Sequence, residues 1–406
     1  MPGHRVKHSQ IRFLFLNVGH FLDHLFLLIF ATAAALRLTQ EWGLSYAELI
    51  PYATPSFVAF GICAIPAGWI ADRWSREGMM VVFFIGIGGT ALLAALANSP
   101  TQMAICLTLV GMFAAIYHPV GLAMVVGGYV KTGIPLAING IFGNMGVASA
   151  ALLTGFLIDS RSWRAAFAVP GVVSIVVGIA YLLFLRTTPY AHKDIPDQAA
   201  SVNSGTITRR TLLQVFAIIF FTTAMGGLIF QSTTFALPKV FDERLTDLAG
   251  TATLVGWYSF MVFSLAAFAQ IVVGYLVDHY SIRSVFLGVA ILQATFFAIM
   301  TGLTGMPALL IATAFMLVVF GQIPINDVLV GRMAKSEWRS RAYSLRYIVT
   351  FSVMASAVPL IAWVHGNWGF DALFSILSAA ALLIFSAVLL LPKSLSLLKH
   401  RTTAAG

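Results

Sequence analysis

The chain alternates long apolar runs with short polar breaks. Twelve runs are long enough to cross about 30 Å of hydrocarbon as helices of about 20 residues. They cover roughly 13–36, 46–71, 79–97, 103–127, 134–158, 165–185, 212–236, 253–276, 284–303, 307–330, 343–363 and 370–391. Gly and Pro occur inside several runs, which membrane helices tolerate when neighbouring helices cover the freed backbone groups. One extended polar stretch, HKDIPDQAASVNSGTITRR, follows the sixth run and reads as a solvated linker. The pattern predicts an all-α membrane protein of twelve transmembrane helices in two six-helix bundles. The division is 1–186, a central loop 187–211, and 212–406 with a short tail.

Composition agrees, with 59% hydrophobic and only 10% charged residues, against about 25% charged in a soluble domain. The net charge of +9 therefore reads as loop charge on one side of a membrane, and not as a nucleic-acid footprint. Of the 24 Lys and Arg, only Arg37, Arg161, Arg164, Lys239 and Arg244 fall in breaks on one side, and Arg346 falls within a run. The others lie on the opposite side, which places both termini in the cytoplasm. The first run is too long for a cleavable leader and lacks a small-residue cleavage site. Cys63 and Cys106 lie in apolar runs and read as small core residues.

The first run, FLFLNVGHFLDHLFLLIFATAAAL, holds a carboxylate near its middle. Placing Asp23 at membrane depth costs at least about 2.5 kcal/mol, so such a group is rarely idle. At about 100° per residue, Asn17, His20, Asp23 and His24 fall on one stripe. Val18, Leu22, Leu25, Phe26 and Ile29 form an apolar back. Farther along, Gly68-Trp-Ile-Ala-Asp72 ends the second run and Gly274-Tyr-Leu-Val-Asp278 ends the eighth. The same pattern at the same place in two six-helix units points to duplicated halves.

Gly68-Trp-Ile-Ala-Asp72-Arg73-Trp-Ser-Arg76 resembles, without a gap, the G-x-x-x-D-R-x-x-R signature between helices 2 and 3 of the major facilitator superfamily. The second-half copy is degraded, since His279 follows Asp278 and the next basic residue is Arg283. The resemblance implies two bundles rocking about a central cavity lined mainly by helices 1, 2, 4, 5, 7, 8, 10 and 11. It also implies that Asp72 and Arg73 form a latch against the inner end of a helix of the other half. Read without it, Arg73 and Arg76 are only topology signals.

Three shorter stretches are similar to the fosmidomycin-resistance branch of that superfamily: Gly19-His20-Phe21-Leu22-Asp23, Tyr117-His118-Pro119 and Gly143-Asn144-Met145-Gly146. Leu22 and Val120 stand where the branch has Asn and Glu, and His24 is added. These departures fall in the implied cavity, so that branch's drug substrate is not carried over.

Asp23 and His118 each lie about 15 Å from the inner ends of their helices. In the implied fold both face the cavity, so an Asp–His pair is expected. One reading is proton coupling, since histidine titrates near neutral pH. A second is a transition-metal set of His20, Asp23, His24 and His118, as imidazoles at i and i+4 can share a metal. A third is structural, as polar glue between helices. Tyr117, Asn139, Asn144 and Gln231 are further cavity candidates, with Gln270 beside them, and Gly140, Gly143 and Gly146 read as helix-packing positions. Asp327 and Arg346 are expected to form an ion pair closing the cytoplasmic side. Trp163, Trp257, Trp363 and Trp368 read as interfacial anchors.

No phosphate-cradling G-x-x-x-x-G-K-[ST] occurs, which disfavours ATP-driven pumping, and no cofactor is expected. The expectation is a monomeric secondary transporter of the cell membrane, driven by protons, with efflux of a small organic or amphipathic solute as one option. Transition-metal transport is the first alternative and a membrane-embedded metal-dependent enzyme the second.

Overall fold

The structure is a computed structural model describing residues 2–129, 133–187, 209–333 and 339–392. Side chains are described for the same residues apart from 2–7, 133, 209, 331–333 and 339–347. The described residues are helical throughout, with no strand among them. Ten membrane-length helices run as separate rods. They are α1 (His8–Trp42), α2 (Tyr46–Arg73), α3 (Arg76–Ala95), α4 (Pro100–Gly127), α5 (Ile134–Ser160), α6 (Trp163–Thr187), α7 (Arg210–Arg244), α8 (Ala252–His279), α9 (Ile282–Met300) and α10 (Gly305–Val330). A last 42-residue run, Ile348–Leu389, is broken at Gly369, with φ 75° and ψ −173°. Only glycine adopts that conformation without strain. The break divides the run into α11 (348–368) and α12 (370–389), completing twelve.

Helix starts are set by local chemistry. Ser45 and Glu48 close a capping box before α2, and the Ser75, Ser99 and Thr251 side chains accept from the first turns of α3, α4 and α8. The connections alternate between two faces. At the face bearing the α1–α2 turn, called the far face, Arg164 in the first turn of α6 reaches Asn98 after α3 (2.8 Å), and Arg244 reaches Asp371 (2.6 Å) and the Met300 and Leu303 carbonyls. At the opposite, near face, Arg12 of α1 pairs with Glu77 at the start of α3.

Within the first half α1 packs along α5 and α3 along α6. Within the second, α8 packs along α10 and α7 along the α11–α12 rod. The halves meet through α5 with α8 and α2 with α11. The α5–α8 contact is a backbone approach: a Cβ on Gly155 would stand 2.2 Å from the Ala252 carbonyl, and one on Gly256 would stand 2.6 Å from that of Ala151. Asp159 on α5 crosses the same seam and accepts from the Thr253 amide (2.7 Å) and hydroxyl (2.5 Å) at the start of α8.

The apolar back of α1 is turned into the protein, with Leu22, Leu25, Phe26 and Ile29 all buried. Several expectations need correction here. Trp163 is not an interfacial anchor, being buried edge-on to Trp42, whereas Trp257, Trp363 and Trp368 are exposed. Cys63 and Cys106 are half-buried rather than core.

Candidate functional site

Three helices bring the polar residues of the first half together. Gly146 lets α5 approach α1 so closely that a Cβ there would stand 2.1 Å from the Phe21 carbonyl. A Cβ on Gly143 would meet the His20 ring at 2.6–2.8 Å. Gly140 has nothing within 4 Å, so its absence of a side chain is not required by packing. In α4 the segment Tyr117–Gly121, YHPVG, is π-helical. Pro119 lacks an amide hydrogen there, and such single π-turns re-aim side chains at functional sites.

The deep layer is a closed hydrogen-bond network. The buried Tyr117 hydroxyl donates to the Leu16 carbonyl (2.8 Å). The Asn139 amide donates to the Tyr117 oxygen (2.8 Å) and to Asn17 Oδ1 (2.9 Å). His20 Nδ1 lies 2.8 Å from the Asn139 carbonyl. A carbonyl only accepts, so Nδ1 carries the proton and a neutral His20 keeps its lone pair on Nε2. The His20 and Tyr117 rings stack at 4.7 Å and 19°. Asn17, His20, Tyr117 and Asn139 thus tie α1, α4 and α5 together.

The second layer carries the charge. Asp23 is wholly buried, and His118 Nε2 stands 3.4 Å from its Oδ2. Neither carboxylate oxygen has a hydrogen-bond partner of normal length, and His118 Nδ1 is also buried without one. His24 completes a triangle with His20 and His118, its ring centroid 5.0 and 5.5 Å from theirs. Phe60 of α2 and Phe351 of α11 close over His118 edge-on or tilted, at 5.7 and 6.3 Å. The His118 side chain is 18% exposed, so this layer borders accessible space while Asp23 does not.

The remaining candidates are elsewhere. Asn144 is half-buried and outside the network. Gln231 on α7 is buried with its amide nitrogen unpartnered, as is the amide nitrogen of Gln270 on α8. The loop signature makes local contacts. Arg76 donates to Asp72 (2.8 Å), the Arg73 guanidinium lies 4.0 Å over the Trp69 ring, and Gly68 faces Pro119 within the same half. Among the described side chains, Asp72 and Arg73 have their contacts within the first half, and the inner ends of the other half at 331–347 lie outside them. Asp278 is exposed and Asp327 half-buried. The Arg346 side chain, and with it the Asp327–Arg346 pair, lies outside the described residues.

Two features escaped sequence reasoning. The Arg12–Glu77 pair joins residues far apart in sequence, and Arg12 carried only a topology signal. A buried amide cluster in the second half has Gln293 of α9 donating to Gln322 of α10 (2.8 Å), with Thr222 of α7 donating to Asn326 (3.2 Å) nearby. Buried Gln and Asn in apolar runs were the available signal.

Comparison with known proteins bears on the whole chain. A family model described as Major Facilitator Superfamily matches residues 16–246 and 244–404. A 4-hydroxybenzoate transporter of Pseudomonas putida is 22% identical over 297 residues, 65% of this chain and 65% of that one. A probable hexose phosphate transport protein of Chlamydia pneumoniae is 25% identical over 46% of this chain and 41% of its own. A cis,cis-muconate transport protein of Acinetobacter baylyi is 27% identical over 38% of each. The chain thus spans less than two thirds of the length of these relatives. Among solved structures, a peptide transporter bound to sulfate superposes with a TM-score of 0.76 at 14% identity, covering 95% of both chains. A bacterial homolog of the human lysosomal transporter Spinster, inward-facing, gives 0.69 at 15% identity over 96% of both. At these identities the superpositions establish the fold.

Proposed function

The chain belongs to the Major Facilitator Superfamily, and from that premise we propose that it is a secondary active transporter, not an enzyme, moving a small organic solute by alternating access. Residues 1–186 and 212–406 are the rocking bundles and 187–211 the loop between them. Both termini lie in the cytoplasm of a cell-membrane monomer. The far face is then the outer one, and contact of the halves along α5–α8 and α2–α11 corresponds to a state closed to the outside.

The observation that carries the coupling mechanism is Asp23. It is a fully buried carboxylate on α1 whose nearest ionisable partner, His118, belongs to α4 and borders accessible space. A carboxylate in a dry interior is tolerated when neutral or paired. Proton transfer between solution, His118 and Asp23 would switch the pair between those two conditions. The energy of the α1–α4 contact would then follow the proton gradient, which biases one half-bundle arrangement over the other. Gln231 and Gln270, with unpartnered amides, are the proposed solute contacts from the second half.

The aromatic acid and muconate transporters among the relatives favour an organic carboxylate as the solute. The narrower likeness to the fosmidomycin-resistance branch rests on three short stretches, and the relatives named above are described by other solutes.

The test is transport of 4-hydroxybenzoate and muconate in proteoliposomes, with and without a pH gradient and in both gradient directions. Asp23→Asn is expected to abolish gradient-driven accumulation while leaving the protein folded by size-exclusion chromatography. Unchanged accumulation would remove Asp23 from the mechanism. Turnover of solute without accumulation would favour an embedded enzyme.

A further inference from the structure

We propose that His20, His24 and His118 form a binding site for a divalent transition-metal ion of the zinc, nickel and cobalt class. One ring nitrogen of each lies within 4.8 Å of those of the other two. His20 and His24 are one turn apart on α1, and His118 reaches over from α4 to stand edge-on to both, each at 5.5 Å between centroids. Nitrogens bound to a tetrahedral zinc at about 2.0–2.1 Å are about 3.4 Å apart. The three rings therefore need to move inward by about 1 Å, within the reach of side-chain rotation.

The surroundings are arranged as metal-ligand histidines require. Such a ring gives its second nitrogen to a carbonyl or carboxylate, which fixes its tautomer and orientation. His20 Nδ1 donates to the Asn139 carbonyl, leaving Nε2 with its lone pair. His118 Nε2 faces the Asp23 carboxylate, and His118 Nδ1 is buried with no partner. Asp23 is a positioning residue in this site, since its oxygens fall outside the three-nitrogen set. Gly143 leaves the space that the His20 ring occupies. A cluster serving only as interhelical glue would pair its nitrogens with one another or with neighbours, and His118 Nδ1 does neither. Neutral imidazoles select borderline transition ions over magnesium or calcium. Three protein ligands leave a fourth position for water or a solute oxygen. His24 and His118 are partly exposed, so an ion has a route in.

This inference does not rest on the transport reading, and its test uses no transport. Cobalt(II) is titrated into purified, chelator-treated protein in detergent, and the visible absorption of the bound ion is followed. The expected result is one equivalent with the intense bands of a four-coordinate site, displaced by zinc and unaffected by calcium. His118→Ala and, separately, His24→Asn are expected to weaken binding at least tenfold. Asp23→Asn is expected to weaken it about tenfold while four-coordinate bands remain. Asn144→Ala, outside the set, is expected to leave it unchanged. Two variants on different helices guard against one failing to fold. No cobalt bands in folded wild-type protein, or full binding in a folded variant lacking His24 or His118, would overturn the proposal. Running the proteoliposome assay with and without a chelator separates failure of this inference from failure of the transport reading.

Discussion

At the residue scale, Asn139 is the joint of the deep layer. Its side chain meets Tyr117 and Asn17, and its carbonyl holds His20. Removing the side chain leaves buried oxygens on Asn17 and Tyr117 without a donor, which costs about 1–3 kcal/mol. Tyr117→Phe deletes the donor to the Leu16 carbonyl and one acceptor of the Asn139 amide, which keeps its bond to Asn17, at about 0.6 kcal/mol for each interhelical bond in a membrane setting. Asn139→Ala is therefore expected to lower the thermal unfolding midpoint in detergent clearly more than Tyr117→Phe. Equal effects would mean that ring stacking on His20, and not the amide, holds the layer. Asp23 was legible from the sequence because a carboxylate inside an apolar run stands out. Asn139 was harder to place: an Asn is common in membrane helices, and its partners lie 22 and 122 residues away in sequence.

At the scale of elements, the glycines of α5 separate by function. Gly146 faces the Phe21 carbonyl and Gly140 faces open space. Overpacking costs about 1–3 kcal/mol when the neighbour cannot yield, and a backbone carbonyl inside a helix yields little. Gly146→Ala is expected to lower the unfolding midpoint and the yield of monodisperse protein, and Gly140→Ala to leave both within error. Loss of both to the same degree would show that helix flexibility, and not close approach, sets the glycine requirement. Sequence spacing placed the three glycines together but could not rank them, because which face of α5 meets α1 depends on how the helices pack. The same holds for the loop signature. Its residues are readable as a pattern, while their partners, Asp72 with Arg76 and Arg73 with Trp69, depend on the arrangement of the two halves.

At the scale of the molecule, the seam between α5 and α8 is where the halves touch by backbone, and Asp159 is its polar clasp. An acidic side chain at a helix start also favours the positive end of the helix dipole. Alternating access requires this seam to open and close. Asp159→Ala removes two hydrogen bonds from one state only, so it is expected to raise the rate at which a cysteine introduced at Ala252 reacts with a membrane-impermeant maleimide by severalfold. An unchanged rate would show that the glycine contacts alone hold the far face shut.

The number of helices and their alternation were determined by the sequence. Burying about 20 apolar residues per crossing is a local requirement that the chain satisfies run by run. The stripe on α1 was equally local, because helical periodicity depends on nothing beyond the helix. Only the tertiary structure decided that the apolar back of α1 is buried in protein, that Trp163 is core, and that three histidines from two helices share one space. In a membrane, a residue facing lipid and one facing a neighbouring helix are both apolar. The hydrophobic pattern that specifies each helix therefore does not specify which side of it meets which partner. That choice rests on small residues, interhelical hydrogen bonds and close packing between segments far apart in the chain.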